Sequence, residues 1–251
     1  MNHTKKSGLT GSHLKWIAIF AMFIDHIGAA LLELGFLPKI ADAVLGGNSF
    51  DYVMKDYLFW YRFDNILRAA GRLAFPIFCF LLAEGFLHTK NIKKYALRLG
   101  LFALISEIPF DLAFNGSLLE ASHQNVFFTL FIGLLVLAGL KYFEEILPSH
   151  IAWLRFIVAL TGILLAAFLR TDYDGFGIML IFLLYEFRNS KKLQCIAGAI
   201  LMLFNSTTGC LAFLFLWLYN GERGKQLPKY FFYAFYPVHL LLLYVLRMLI
   251  I

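Results

Sequence analysis

Charge is scarce in this chain. Of 251 residues only 15% are Asp, Glu, Lys or Arg, while 61% are hydrophobic and 18% aromatic, and the mean hydropathy is +0.73. Ordinary globular domains are about a quarter charged and about half apolar, so the shortage excludes a soluble domain of this length. The chain reads as an integral membrane protein of the all-α class, a polytopic helix bundle. Cysteine is nearly absent as well. Cys79, Cys195 and Cys210 all lie in apolar stretches without metal-type spacing; they say nothing about redox compartment and read as packing residues. No small-residue cleavage site follows the first apolar run, so that run is expected to stay as a helix and not to leave as a signal peptide. No internal repeat and no soluble domain stand out, and residues 1–251 read as one membrane domain.

What charge there is favours the positive sign, with a net +6. The Lys and Arg residues fall in short clusters between apolar runs and form no single basic domain, which speaks against a nucleic-acid partner and fits the positive-inside rule. A bilayer core asks for roughly 20 apolar residues per helix. By that ruler candidate spans lie near 14–34, 66–87, 94–114, 125–141, 150–169, 174–187, 192–205, 208–219 and 231–250. About nine transmembrane helices are therefore expected, several of the later ones short enough to be tilted, broken or re-entrant.

Every second connection is basic: Lys5 and Lys6 before the first span, Lys90, Lys93 and Lys94 after the second, Lys141 after the fourth, Arg188, Lys191 and Lys192 after the sixth, and Arg223, Lys225 and Lys229 after the eighth. The stretch "NGSLLEASHQ" (115–124) and the turn after Ser206 carry no Lys or Arg. The N-terminus is expected to be cytoplasmic and the C-terminus outside, with the aromatic-rich stretch 35–65 on the outer side as an interfacial segment.

Ionisable residues within spans are costly and mark function by default. In "LKWIAIFAMFIDHIGAALL" (14–32), Lys15 and His26 are eleven positions apart. At 100 degrees and 1.5 Å per residue they share nearly one face, about 16 Å apart in depth. Asp25 points about 100 degrees away and must find its partner on another helix. A tight antiparallel hairpin of the second and third spans would bring Arg68 and Arg72 level with Glu107 and Asp111, as two intramembrane ion pairs, with Asp25 competing for one arginine. Glu84 sits one turn from the cytoplasmic end of the second span. His239 lies at similar depth in the last, just after Pro237, which can free a carbonyl. Lys15, Glu84, His239 and His26 are placed by depth to line a cavity open to the cytoplasm. Asp172 and Asp174 in "RTDYDGFG" (170–177) read as a solvated turn near the outer surface.

Six stretches, "LKWIAIFAMFIDHIGA", "GRLAFPIFCFLLAEGF", "KKYALRLGLFALISEIPFDLAF", "QNVFFTLFIGLL", "YNGERG" and "YAFYPVHLLLLY", cover most of the chain in order. Together the chain resembles the TraX family of bacterial membrane proteins, whose named member acetylates the N-terminus of conjugative F-type pilin. That family is similar to the wider superfamily of transmembrane acyltransferases, which commonly carry a basic residue and a His with ten residues between them at the start of the first helix. Lys15 and His26 match that spacing. The resemblance implies transfer of an acetyl group from cytoplasmic acetyl-CoA to an amine or hydroxyl of a membrane or exported acceptor at the bacterial inner membrane. The acceptor would be a peptide such as a pilin, a glycan or a lipid headgroup, with membrane lipid as the surrounding partner. On that reading Lys15, with Lys93, Lys94 or the 223–229 loop, and Arg72 provide cations for the donor phosphates. His26 is the general base or the covalent acyl carrier, with Asp25 and Glu84 as further catalytic candidates. Asn125 or His239 is the candidate to stabilise the oxyanion. A proton-coupled transporter and a non-catalytic assembly factor are the alternatives from other classes; the absence of two related halves with paired broken helices speaks against the first.

Orientation is directly testable. Single cysteines placed in 88–94 should be shielded from an impermeant thiol reagent in intact cells, and those in 115–124 should be labelled; the reverse pattern would overturn the cytoplasmic N-terminus.

Overall fold

The computed structural model describes residues 7–45, 50–148, 151–225, 228 and 230–250. Lys5, Lys6 and Lys229, on which part of the orientation rests, lie outside the described residues. The secondary structure is helical: α1 Gly11–Ile27, a π-helical stretch Gly28–Phe36, α2 Leu37–Leu45, α3 Phe50–Gly71, α4 Ala74–His88, α5 Ile92–Phe114, α6 Val126–Ile146, α7 Ile151–Phe168, α8 Asp174–Glu186, α9 Lys191–Leu203, a 3-10 turn Gly209–Leu211, α10 Ala212–Trp217 and α11 Phe231–Ile250. Grouping α1 with α2 and α3 with α4 leaves nine segments among the described residues, one for each stretch expected. Among the described residues four helical stretches are long and apolar enough to cross a membrane: Gly11–Ala43, Val53–His88, Val126–Ile146 and Phe231–Ile250. The 13-residue α8 and α9 rise only about 20 Å, short of the ~30 Å hydrocarbon core. The outer surface is greasy, with Phe20, Leu97, Trp153 and Phe168 all exposed, as suits side chains that face lipid. This is a membrane protein.

Local chemistry sets the helix ends. Thr10 caps α1, accepting from the His13 backbone N–H while the His13 ring accepts from Thr10. Asn91 caps α5 and Asn125 caps α6, each meeting an N–H that the first turn leaves without a partner. Pro76 has no N–H for the carbonyl of Arg72, so α3 and α4 form one long rod with an elbow at Arg72–Leu73.

Two expectations change here. The stretch 35–65, expected as an interfacial segment between the first two spans, is mostly helical: α2 and α3 occupy most of it, and α3 runs on into α4. The second and third spans also form no hairpin. After the basic turn α5 diverges from α4 and packs against α11 and α6, whereas α4 packs against α1, α8 and α6. Arg68 and Arg72 therefore never reach Glu107 and Asp111. Arg68 turns to α1, where its Nη1 meets Asp25 Oδ2 at 2.6 Å and its Nε meets Glu33 Oε1 at 3.2 Å. Glu107 instead accepts from the Asn125 amide, and Asp111 accepts from Asn115 and from the Glu120 N–H.

The π-helical stretch is what lets one arginine hold two acids. Eight positions of ideal α-helix would leave Glu33 about 80 degrees off the Asp25 face. Wider turns, with Leu37 N–H donating five residues back to Leu32, underwind the helix and take up that difference. The fit is close at two glycines. A Cβ on Gly28 would stand 2.6 Å from Asp64 Oδ1, and one on Gly71 would stand 2.3 Å from Asp25 Oδ1. Gly71→Ala is expected to lower stability in detergent by about 1–3 kcal/mol, read as melting temperature; an unchanged value would mean that Asp25 does not approach α3 this closely.

Candidate functional site

The N-terminal end of α1 is strapped to the loop before α11. Leu9 N–H donates to Leu218 O, Asn220 N–H to Leu9 O, Gly11 N–H to Glu222 O and Ser12 N–H to Arg223 O, at 2.8 to 3.0 Å. Gly224, at φ 70 degrees, lies so close to Thr10 that a Cβ would meet its hydroxyl at 2.3 Å. "YNGERG" is thus a strap that sets Arg223 beside the first turn of α1.

Beneath that strap opens a cavity of about 420 Å³. Among the described residues its lining includes the cations Lys15, Arg98 and Arg223 and no carboxylate. Lys15 Nζ lies 5.3 Å from the Phe232 ring centroid. Arg98 stands over Tyr95 at 5.6 Å and bonds the Tyr233 phenol, while its Nε has no partner among the described residues. The inner wall is carbon, and the floor is Met22, Phe127 and Tyr236.

One helical turn past Met22, and three residues past Tyr236, lie His26 and His239. Their rings are within 5 degrees of parallel with centroids 4.9 Å apart, and His26 Nδ1 is 2.6 Å from His239 Nε2. Those values place both nitrogens on the line between the centroids, so this is an in-plane hydrogen bond and not a face-to-face stack. The proton positions follow by elimination. His239 Nδ1 is 2.7 Å from Phe235 O, and a carbonyl only accepts, so Nδ1 carries the hydrogen. In the neutral ring Nε2 is then bare and accepts from His26 Nδ1–H. Among the described residues His26 Nε2 has no partner, which leaves its lone pair free. Phe114 and Tyr236 wall the His26 ring at 5.5 and 5.8 Å between centroids.

The other residues singled out in the sequence lie elsewhere. Glu84 accepts from the Tyr219 hydroxyl at 3.2 Å and faces His88 at 3.6 Å, tying α4 to the strap and not lining the cavity. Burial chiefly, helped by the Glu84 charge, pushes the Tyr219 phenol up to about 12. Arg72, at the elbow, bonds the Tyr173 phenol and does not border the cavity. Lys93 and Lys94 are exposed on the first turn of α5 and stay outside its lining. Asn125 is fully buried with its amide spent on Ala103 O at 2.8 Å and on Glu107, and its oxygen on Phe127 N–H; no donor remains for an oxyanion. Asp25 stands on the far face of α1, in the Arg68 cluster. Lys15, His26 and His239 alone among the nine candidates gather around the cavity and its floor. Sequence reasoning passes over Arg98, which follows Lys94 by one turn and lies inside the third span, beyond the basic cluster of Lys90, Lys93 and Lys94. Tyr236 precedes His239 by three positions, a spacing that shares a face.

Asp172 is no solvated turn. It is half-buried between α7 and α8, where its backbone N–H donates to Gln124 O at 2.8 Å. Burial first, then the Asp25 charge, raises its carboxyl to about 6 against the pull of Arg72 and His123.

A model of the family described as TraX protein matches residues 10–247. A protein of Dichelobacter nodosus described as a probable fimbrial assembly protein FimC, serogroup H1, is 30% identical over 258 residues, covering 92% of each chain. No solved structure matches the chain.

A carboxyl whose folded pKa lies above its unfolded one holds its proton more tightly in the fold, so its stabilising effect is present at low pH and lost as pH rises through about 6. Asp172→Asn cannot lose it. Thermal denaturation from about pH 5 to 7 should show the variant gaining on the wild type as pH rises; parallel curves would mean that Asp172 ionises in the fold as freely as in water.

Proposed function

The chain belongs to the TraX family, and on that premise we propose that it is a membrane acyltransferase at the bacterial inner membrane. It moves an acetyl group from cytoplasmic acetyl-CoA to an amine or hydroxyl of a membrane or exported acceptor, such as a fimbrial or pilin subunit. One observation carries this reading: among the described residues, a cavity with a basic mouth, no lining carboxylate and an apolar inner wall ends one helical turn from an imidazole whose Nε2 has no partner. Phosphates suit Lys15, Arg98 and Arg223, through charge-assisted hydrogen bonds, and the carbon wall suits the uncharged thioester arm. His26 Nε2 takes the proton of the acceptor as it attacks. His239 holds His26 in the required tautomer, much as a carbonyl or carboxylate orients a catalytic imidazole elsewhere. The description of the Dichelobacter nodosus relative as a probable fimbrial assembly protein supports an acceptor of fimbrial type.

The test is binding followed by turnover. Acetyl-CoA should raise the melting temperature of the purified protein in detergent, and Lys15→Ala and Arg98→Ala should each weaken that binding at least about tenfold. His26→Ala should bind the donor and release no CoA thiol. A folded wild-type protein that ignores acetyl-CoA would refute the donor site, and full turnover by His26→Ala would remove the imidazole from the reaction.

A further inference from the structure

Acyl transfer needs a donor for the oxygen that becomes negative when the thioester carbonyl is attacked. The two candidates read from sequence do not supply one. The Asn125 amide is spent, and both His239 nitrogens are engaged, Nδ1–H with Phe235 and Nε2 with His26. Tyr236 stands where such a donor is required. It borders the cavity floor, and its ring lies 5.8 Å from His26 and 5.7 Å from His239 between centroids. Phe127 packs edge-on against it at 5.2 Å, so its rotamer is held from both sides.

The hydrogen-bonding state of the phenol is decided by the start of α6. Of the first N–H groups there, Phe127's goes to Asn125 Oδ1 and Phe128's to Asn125 O, both at 3.0 Å. Val126 N–H lies against the Tyr236 oxygen. A phenol that accepts from an N–H turns its own O–H elsewhere, and no acceptor for that hydrogen exists among the described residues. The positive end of α6 behind the oxygen strengthens the O–H as a donor.

We propose that Tyr236 is a catalytic residue, its O–H donating to the carbonyl oxygen of the bound thioester at the cavity floor. The assignment rests on the acyl-transfer reading above. As the acceptor's lone pair forms the new bond to the thioester carbon, the carbonyl π pair moves to oxygen and meets the Tyr236 O–H. The acceptor's proton passes to His26 Nε2. When the carbonyl re-forms, the C–S bond breaks and His26 returns the proton to the departing sulfur. The phenol keeps its own hydrogen throughout.

Release of CoA thiol from acetyl-CoA is measured with the full chain in detergent, using a hydrophobic peptide with a free N-terminal amine as acceptor. Tyr236→Phe should lower kcat about 10²- to 10³-fold, the usual loss for one oxyanion donor, with donor Kd unchanged and the melting temperature lowered because the Val126 N–H loses its acceptor. Should Phe disturb packing, 3-fluorotyrosine at position 236 preserves the ring; its more acidic phenol should raise kcat and leave donor Kd alone. A wild type that releases thiol while Tyr236→Phe or the fluorinated protein matches it in kcat would overturn the Tyr236 assignment and leave acyl transfer standing. A wild type that binds acetyl-CoA and releases no thiol would overturn acyl transfer, and Tyr236 as its oxyanion donor with it.

Discussion

Two adjacent polar side chains in the middle of one apolar helix, Asp25 and His26, each require a partner inside the bundle, because neither lipid nor a dry interior can satisfy them. About 100 degrees of helix separates their directions, so no single neighbour serves both. Asp25 is met by Arg68 of α3 and His26 by His239 of α11. That pair of demands makes α1 the helix around which α3 and α11 are arranged. The adjustments around it follow: the π-helical stretch that turns Glu33 toward Arg68, and the two glycines, Gly28 and Gly71, that admit the carboxylates at close range.

The two sides of α1 are unlike in chemistry. Toward α3 lies a cluster of acids and arginines extended by Arg72, Tyr173 and Asp172, closely packed and cross-linked. Toward α5, α6 and α11 lies an open cavity with cations at one end and the imidazoles of His26 and His239 just beyond the other. The strap formed by residues 218–225 on residues 9–12 closes the basic end, and Glu84 anchors it from α4 through Tyr219. A residue suggested as a catalyst by its burial in an apolar helix thus acts on the architecture of the mouth.

Much of this was legible in the chain itself. Hydrophobic run lengths located a stretch of each of the nine helical segments among the described residues, since a run of apolar residues has few other ways to satisfy its backbone, but not the helical reach of the first two into 35–65. The spacing of Lys15 and His26 placed both along one stripe of α1, because helical periodicity converts sequence distance directly into direction and depth. The need of Asp25 for an outside partner, and the competition for an arginine, followed from the same geometry. What failed was every inference that passed from one helix to another by assuming that a short turn makes neighbours. The turn at 88–91 joins α4 to α5, yet α5 leaves to pack on α11, and the expected pairs of Arg68 and Arg72 with Glu107 and Asp111 fell with that assumption.

The amino-acid sequence by itself determined the class, the helices, the family and the polar stripe on α1, because composition, run length and periodicity are local quantities. Only the tertiary structure decided that His26 bonds His239 in one plane, that Arg98 and not Lys93 or Lys94 borders the cavity, that Asn125 is spent on helix capping, and that the Tyr236 phenol has a hydrogen to give. Those outcomes depend on which helices meet and at what rotation. That is set by packing summed over the whole bundle, and no window of the sequence contains it.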